Sequence, residues 1–164
     1  MKYIVFILSL TILSVSCKPS AEYEKNKDGT ITWLSVDQAS QLSNNSKKLY
    51  FVDVYTEWCG WCKVMDKKTF TDPGVIRLID ENFHAIKFDA EQMDYVTWND
   101  KRYVYKPGGR KGVNDFANHL LDNRLSYPSF AILDSEGQRI NTIVGYKTPE
   151  QLIPSLKSYL ISDD

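Results

Sequence analysis

Cys59 and Cys62 stand with two residues between them in the run Trp58-Cys59-Gly60-Trp61-Cys62-Lys63. Two thiols at that spacing can close into a small ring at the start of a helix. Backbone N–H groups and the helix dipole there favour negative charge on the first sulfur. A thiolate so placed attacks a disulfide, and a second thiol within reach releases the resulting mixed disulfide. On this reading Cys59 is the nucleophile, exposed at the helix tip, and Cys62, one turn deeper, is the resolving thiol. The same pair has two other uses, a disulfide that merely locks structure or half of a zinc site. The two histidines, His84 and His119, follow with 21 and 34 intervening residues, which fits no common zinc pattern. No metal site is therefore expected, and redox exchange is preferred over a structural lock.

Three further residues bear on that chemistry. Asp53 interrupts an otherwise apolar stretch, Lys48 to Tyr55 (KLYFVDVY), six positions before Cys59. A buried carboxylate is costly unless it has a raised pKa or a nearby cation. The alternative is a solvent-facing acid on an edge strand. Trp58 and Trp61 flank the cysteines and offer a contact surface for a substrate protein or a shield over the sulfurs.

Alternating elements must position these groups. Residues 31–33 read as a short strand, and Ser35-Val36-Asp37-Gln38 has the spacing of a capping box for a helix to about Leu42. Lys48 to Tyr55 reads as a buried strand. A helix follows Cys59, is interrupted at Asp72-Pro73-Gly74, and resumes over Val75 to Asn82. Phe83 to Asp89 alternates like a strand, and Gly112 to Asn123 reads as a helix. Ser129 to Leu133 and Arg139 to Gly145 form a hairpin around Asp134-Ser135-Glu136-Gly137, and a helix opens at Thr148-Pro149 and runs to about Ile161. The order β-α-β-α-β-α-β-β-α implies an α/β domain with a mixed central sheet and helices on both faces.

Composition narrows the class. The chain has 164 residues, 43% of them hydrophobic, with 20 basic and 21 acidic side chains. A balanced charge argues against a nucleic-acid binder, and three cysteines rule out a disulfide-rich scaffold. Lys2 precedes an apolar run from Tyr3 to Val15, too short for a typical spanning helix and matching a secretory signal core. Residues 1–16 are read as the signal, 17–30 as a polar tether and 31–164 as the domain. Removing the signal takes Lys2 away, leaving 19 basic and 21 acidic residues.

Two resemblances extend this reading. Leu13-Ser14-Val15-Ser16-Cys17 resembles a bacterial lipoprotein signal, although Ser14 stands where that signal prefers Leu. It implies that Cys17 is lipidated, leaving Cys59 and Cys62 as the only thiols. The stretch Phe51 to Lys63, with Asp72-Pro73-Gly74-Val75 and Asn82-Phe83, is similar to the thioredoxin-like family, and most to its periplasmic thiol-disulfide reductases. That resemblance implies a thioredoxin fold over roughly Trp33 to Leu160. It implies that Asp53 accepts the proton of Cys62 and that Lys87 is the partner of Asp53. It makes Tyr127-Pro128 the family's cis-proline step and Gly145 the glycine after the last strand. Trp58, Gly60, Trp61, Tyr127 and Pro128 would then face the substrate, with Tyr127 against Cys59 and its backbone free to pair with a client strand. Glu57 matches a family acid near the site and is expected to be exposed.

The implied protein is a periplasm-facing lipoprotein, in the inner or the outer membrane. It uses no cofactor, is monomeric, and is held at the membrane by lipid alone. Its partners are client proteins with disulfides and an inner-membrane electron donor, with no nucleic acid. Gly60-Trp61 places no positive charge between the thiols, so a reducing potential near thioredoxin's roughly −270 mV is expected. Lys63 and Tyr127 are the groups that oppose this by favouring the thiolate. Residues 91–111 exceed the thioredoxin pattern. Within them Lys101 to Lys111 carries five basic residues and two tyrosines around Pro107-Gly108-Gly109, read as a solvated hairpin or loop.

Overall fold

A computed structural model describes residues 29–42, 46–109 and 111–160. The expected signal, Cys17 and nearly all of the tether lie outside the described residues. Among those described, no helix is long and apolar enough to cross a membrane.

The chain enters along the outer edge of the sheet. Residues 31–33 form no strand of their own. Leu34 alone makes a parallel bridge to Ile86, its N–H donating to the Ala85 carbonyl at 2.8 Å. Ser35 then caps α1 (Val36–Ser40), accepting from the Gln38 N–H while the Gln38 amide returns to the Ser35 N–H. β1 (Leu49–Tyr55) follows. Its five central residues are buried, as expected of a strand covered on both faces, and Asp53 is among them.

The helix after Cys59 is built in pieces. α2 (Gly60–Val64) runs into a π-helical turn, Met65–Thr69. Asp72 then caps α3 (Pro73–Asn82), its Oδ1 accepting from the Gly74 and Val75 N–H groups at 2.8 and 3.0 Å. Pro73 costs nothing in the first turn, where its missing N–H would have had no helical partner. β2 (Phe83–Asp89) returns parallel to β1, with Asp53 opposite Lys87 and Tyr55 opposite Asp89.

The excursion after β2 is more ordered than its sequence suggests. β3 (Val96–Trp98) and β4 (Lys101–Tyr103) form one small ladder, and β5 (Tyr105–Lys106) and β6 (Val113–Asn114) another. Val96, Trp98 and Tyr103 are buried in the main core and anchor the excursion, whereas the described residues of Lys101 to Lys111 other than Tyr103 and Tyr105 are exposed, which agrees with the solvated hairpin expected there. The helix expected from Gly112 is correspondingly shorter. Val113 and Asn114 are taken by the β5–β6 ladder, and the Asn114 side chain caps α4 (Asp115–Leu120) by accepting from the Phe116 N–H.

β7 (Ser129–Leu133) lies antiparallel to β1, and β8 (Arg139–Val144) antiparallel to β7. Capped at Thr148, α5 (Pro149–Lys157) closes the domain, ending four residues before the expected limit. The sheet order is β2-β1-β7-β8, with β1 and β7 central. Side chains alternate across it. Tyr50, Val52 and Val54 face α1, α4 and the β3–β4 ladder, whereas Phe51 faces the π turn, α3 and α5. Helices therefore cover both faces, and the C-terminal end of β1 delivers the chain to Cys59.

Candidate active site

The site begins where β1 stops. The Cys59 N–H donates to the Thr56 carbonyl at 3.0 Å, a tight turn that sets Cys59 as the N-cap of α2. Cys59 and Cys62 form a disulfide, with their Cα atoms 5.3 Å apart. The Cys59 sulfur accepts the Cys62 N–H at 3.1 Å. A thiolate on Cys59 would meet that same donor, so the start of α2 stabilises negative charge where the attacking sulfur needs it. One expectation is corrected here. Cys59 is 4% exposed rather than projecting at the tip, because the ring closure and the Cys62 N–H draw its sulfur onto the helix end.

Beneath the disulfide end of β1 lies a charged group inside the core. Asp53 is 2% exposed on a central strand, which excludes the solvent-facing alternative. It shares the sheet face of Phe51, the face covered by the π turn and α3. Burial pushes its carboxyl up to about 7, the nearby Asp66 adds to the rise, and Lys87 opposes it. Lys87 Nζ sits 3.4 Å from Asp53 Oδ2 and also contacts Asp66 Oδ1. The expected Asp53–Lys87 pairing is present, but the lysine is shared between two acids. Its ammonium also lies over the rings of Trp33 and Tyr55, at 5.1 and 5.3 Å. Among the described residues Asp53 Oδ1 has no hydrogen-bond partner, which leaves one oxygen to receive a proton.

The rim is aromatic. Trp58 and Trp61 are 59% and 61% exposed, and so do not form a closed shield. The Trp58 indole N–H donates to Glu91 at 2.7 Å, and its ring meets Tyr127 edge-on at 6.0 Å. Trp61 leans on Tyr146 at 5.2 Å. Gly60 is exposed between them, with open space where a side chain would be. Tyr127-Pro128 is a cis peptide, and the Pro128 carbonyl accepts from Gly145, whose φ is +81°. Burial first, then Glu91 and Asp89, push the Tyr127 hydroxyl up to about 12. Glu57 is exposed, as expected. His84 bonds Ser46 and His119 packs against Phe116 and Tyr103, so neither approaches the cysteines as a zinc ligand. Among the described residues no three side chains of metal-ligating type are grouped.

Several site residues escaped the sequence reading. Asp66 follows Cys62 by four positions, a helical spacing that places both on one face and could have flagged it. Glu91 is 33 residues from Trp58, and Lys111, which holds Glu91 at 3.2 Å, is a further 20 away. No local pattern announces either. The excursion between β2 and α4 brings them to the rim.

Comparison with known proteins agrees with this geometry. The DsbD "Thiol:disulfide interchange protein" of Tatumella citrea is 29% identical over 123 residues, covering 74% of this chain and 18% of that protein. The chain spans under a fifth of the length of the curated relatives it matches. A thioredoxin from Thermus thermophilus superposes with a TM-score of 0.58 at 17% identity, covering 80% of this chain and 88% of that one. A putative disulphide-isomerase from Bacteroides thetaiotaomicron gives 0.57 at 23% identity, covering 83% and 98%. The family model described as thioredoxin-like domain matches residues 36–160, and with the dithiol, the cis-proline step and the sheet order in place, the chain belongs to that family.

Proposed function

We propose that the protein is a thiol-disulfide oxidoreductase of the bacterial cell envelope that reduces disulfides in client proteins. The observation that carries this is the Cys59–Cys62 disulfide at the start of α2, with buried Asp53 on the sheet face that the π turn and α3 cover. The structure holds the oxidised form, the product of the reduction.

In the reduced protein Cys59 attacks as the thiolate. One client sulfur leaves and takes up a proton, and the other is bound to Cys59 as a mixed disulfide. Cys62 then gives its proton to Asp53 and attacks the Cys59 sulfur. That releases the second client thiolate and closes the Cys59–Cys62 bond. The client gains two electrons and the protein loses two. A carboxyl raised to about 7 suits this proton transfer, since near neutral pH it both accepts and returns the proton. Lys87 positions Asp53 and limits how far its pKa rises.

The export signal, lipidated Cys17 and tether read from residues 1–30 support a membrane-held location. Its reducing power would come from a dithiol donor in the inner membrane. Equilibration with glutathione tests the direction. A potential near roughly −270 mV is expected, and one above about −150 mV reverses the assignment to an oxidant or isomerase. The burial of both sulfurs favours one other reading, a binding module with a structural disulfide. A potential below about −300 mV, with no client trapped on Cys62→Ser, would establish that reading instead.

A further inference from the structure

The two sides of the disulfide rim differ in charge. On the Trp58 side, three carboxylates come together, Glu57 from the end of β1 and Asp89 and Glu91 from the end of β2. Glu57 is exposed two residues before Cys59, Asp89 ends β2 beside Tyr55, and Glu91 holds the Trp58 indole. Their mutual influence shows in the raised pKa of Asp89, where burial comes first and Glu91 and Glu57 add to it. Among the described residues the cation that answers them is Lys111, 3.2 Å from Glu91 and also acting on Asp89. One positive charge against three negative leaves this side acidic. On the other side Trp61 leans on Tyr146, whose neighbour in sequence is Lys147.

Trp58 itself is pre-ordered. Glu91 fixes its indole N–H and Tyr127 its ring, yet more than half of its surface is open. A rigid exposed aromatic loses little conformational freedom on contact, which is what a docking surface needs. Cys59 is nearly inaccessible, so a client must be seated on this rim before its sulfur can be reached. The excursion extends the surface, since Met93 lies two residues beyond Glu91 and is 78% exposed. A flexible thioether there accommodates varied apolar partners.

We propose that the Trp58 side of the rim selects client disulfides flanked by an apolar residue together with lysine or arginine. The inference rests on the redox reading above and assigns Glu57 and Asp89 as specificity-determining residues, with Glu91 positioning Trp58. The charge asymmetry also orients the client, placing its basic flank over Trp58.

The test uses two disulfide peptides of one sequence, differing only in lysine or glutamate at the flanking positions, and neutral 2-hydroxyethyl disulfide. Reduction by the reduced full chain is followed by tryptophan fluorescence. The lysine peptide should react about tenfold faster than the glutamate peptide at low salt. The advantage should disappear near 1 M salt, where the Debye length is about 3 Å. The double variant Glu57→Gln/Asp89→Asn should cut it to below about threefold. Glu81→Gln, at the opposite end of β1, should keep it in full. Equal rates for the two peptides, or an undiminished preference in the double variant, overturn the proposal. If 2-hydroxyethyl disulfide is also not reduced, the redox reading falls together with it, so the two failures are told apart.

Discussion

Asp53 and Cys62 meet the same constraint from opposite sides, since each is buried and each must change protonation for the resolving step. A carboxyl at its ordinary pKa of 3.8 would be a poor acceptor for a thiol proton, and burial brings it to about 7. Asp53→Asn should therefore slow release of the mixed disulfide by about two to four orders of magnitude, what loss of a general base costs, while the fold is kept. Turnover unchanged across pH 6 to 9 would remove Asp53 from the mechanism. Cys59 carries its own prediction. In the disulfide form its sulfur accepts the Cys62 N–H at the start of α2, and after reduction the same donor would favour the thiolate. Alkylation at neutral pH, read by mass spectrometry, should modify Cys59 well before Cys62, and equal rates would refute the assignment.

Among the elements, the excursion between β2 and α4 is the one whose weight differs most from its appearance. Trp98 is buried, meets Tyr50 edge-on at 5.1 Å and donates its indole N–H to the Gly137 carbonyl at 2.9 Å. Tyr103 packs on Phe116 at 5.0 Å. The four described cations of its basic stretch are engaged within it or at its base. Lys101 and Arg102 lie over Tyr103 and Tyr95, and Lys106 and Lys111 pair with Asp115 and Glu91. Trp98→Ala should then cost about 3–5 kcal/mol in urea unfolding, as for a large aromatic removed from a core. A loss below about 1 kcal/mol would mark the ladder as an appendage. Because Glu91 precedes the first ladder and Lys111 lies in the β5–β6 connection, the same excursion that completes the core also sets the charge of the rim.

Across the whole molecule, two buried titratable groups act on stability in opposite senses. Asp53 rises from 3.8 to about 7 on folding. Between those values the folded chain holds a proton that the unfolded chain has released. Stability from this group is therefore full below pH 4 and is lost as pH rises toward 7. His84 falls from 6.5 to about 4, chiefly by burial and secondarily through Lys48. Its contribution is full above pH 6.5 and is lost as pH falls toward 4. The two slopes have opposite signs over the shared window, so in the wild type each offsets the other. Urea titrations at pH 4.5, 5.5 and 6.5 check this. Asp53→Asn should uncover stability that rises with pH, and His84→Gln stability that falls with pH. A flat profile in both variants would contradict the two shifts.

Much of this was legible without coordinates. The Cys-x-x-Cys pair, the apolar run broken by Asp53, the caps at Ser35 and Thr148, the interruption at Asp72-Pro73-Gly74, and the turn ending at Gly137 are local signals. Chain stereochemistry and hydrophobic period decide them over a few residues. The family resemblance supplied Lys87 and the cis peptide at Pro128, which no local signal in this chain required. What escaped depends on residues far apart in sequence. Asp66 claims a share of Lys87 only because the π turn after α2 lies over the same sheet face. Glu91 and Lys111 reach Trp58 only because the excursion folds back on the core instead of extending into solvent. The exposed Cys59 of the sequence reading became a buried one for a local reason, the ring closure onto Cys62. Burial and long-range charge pairing are properties of the assembled surface. Sequence spacing specifies which groups are available, and packing decides which of them meet.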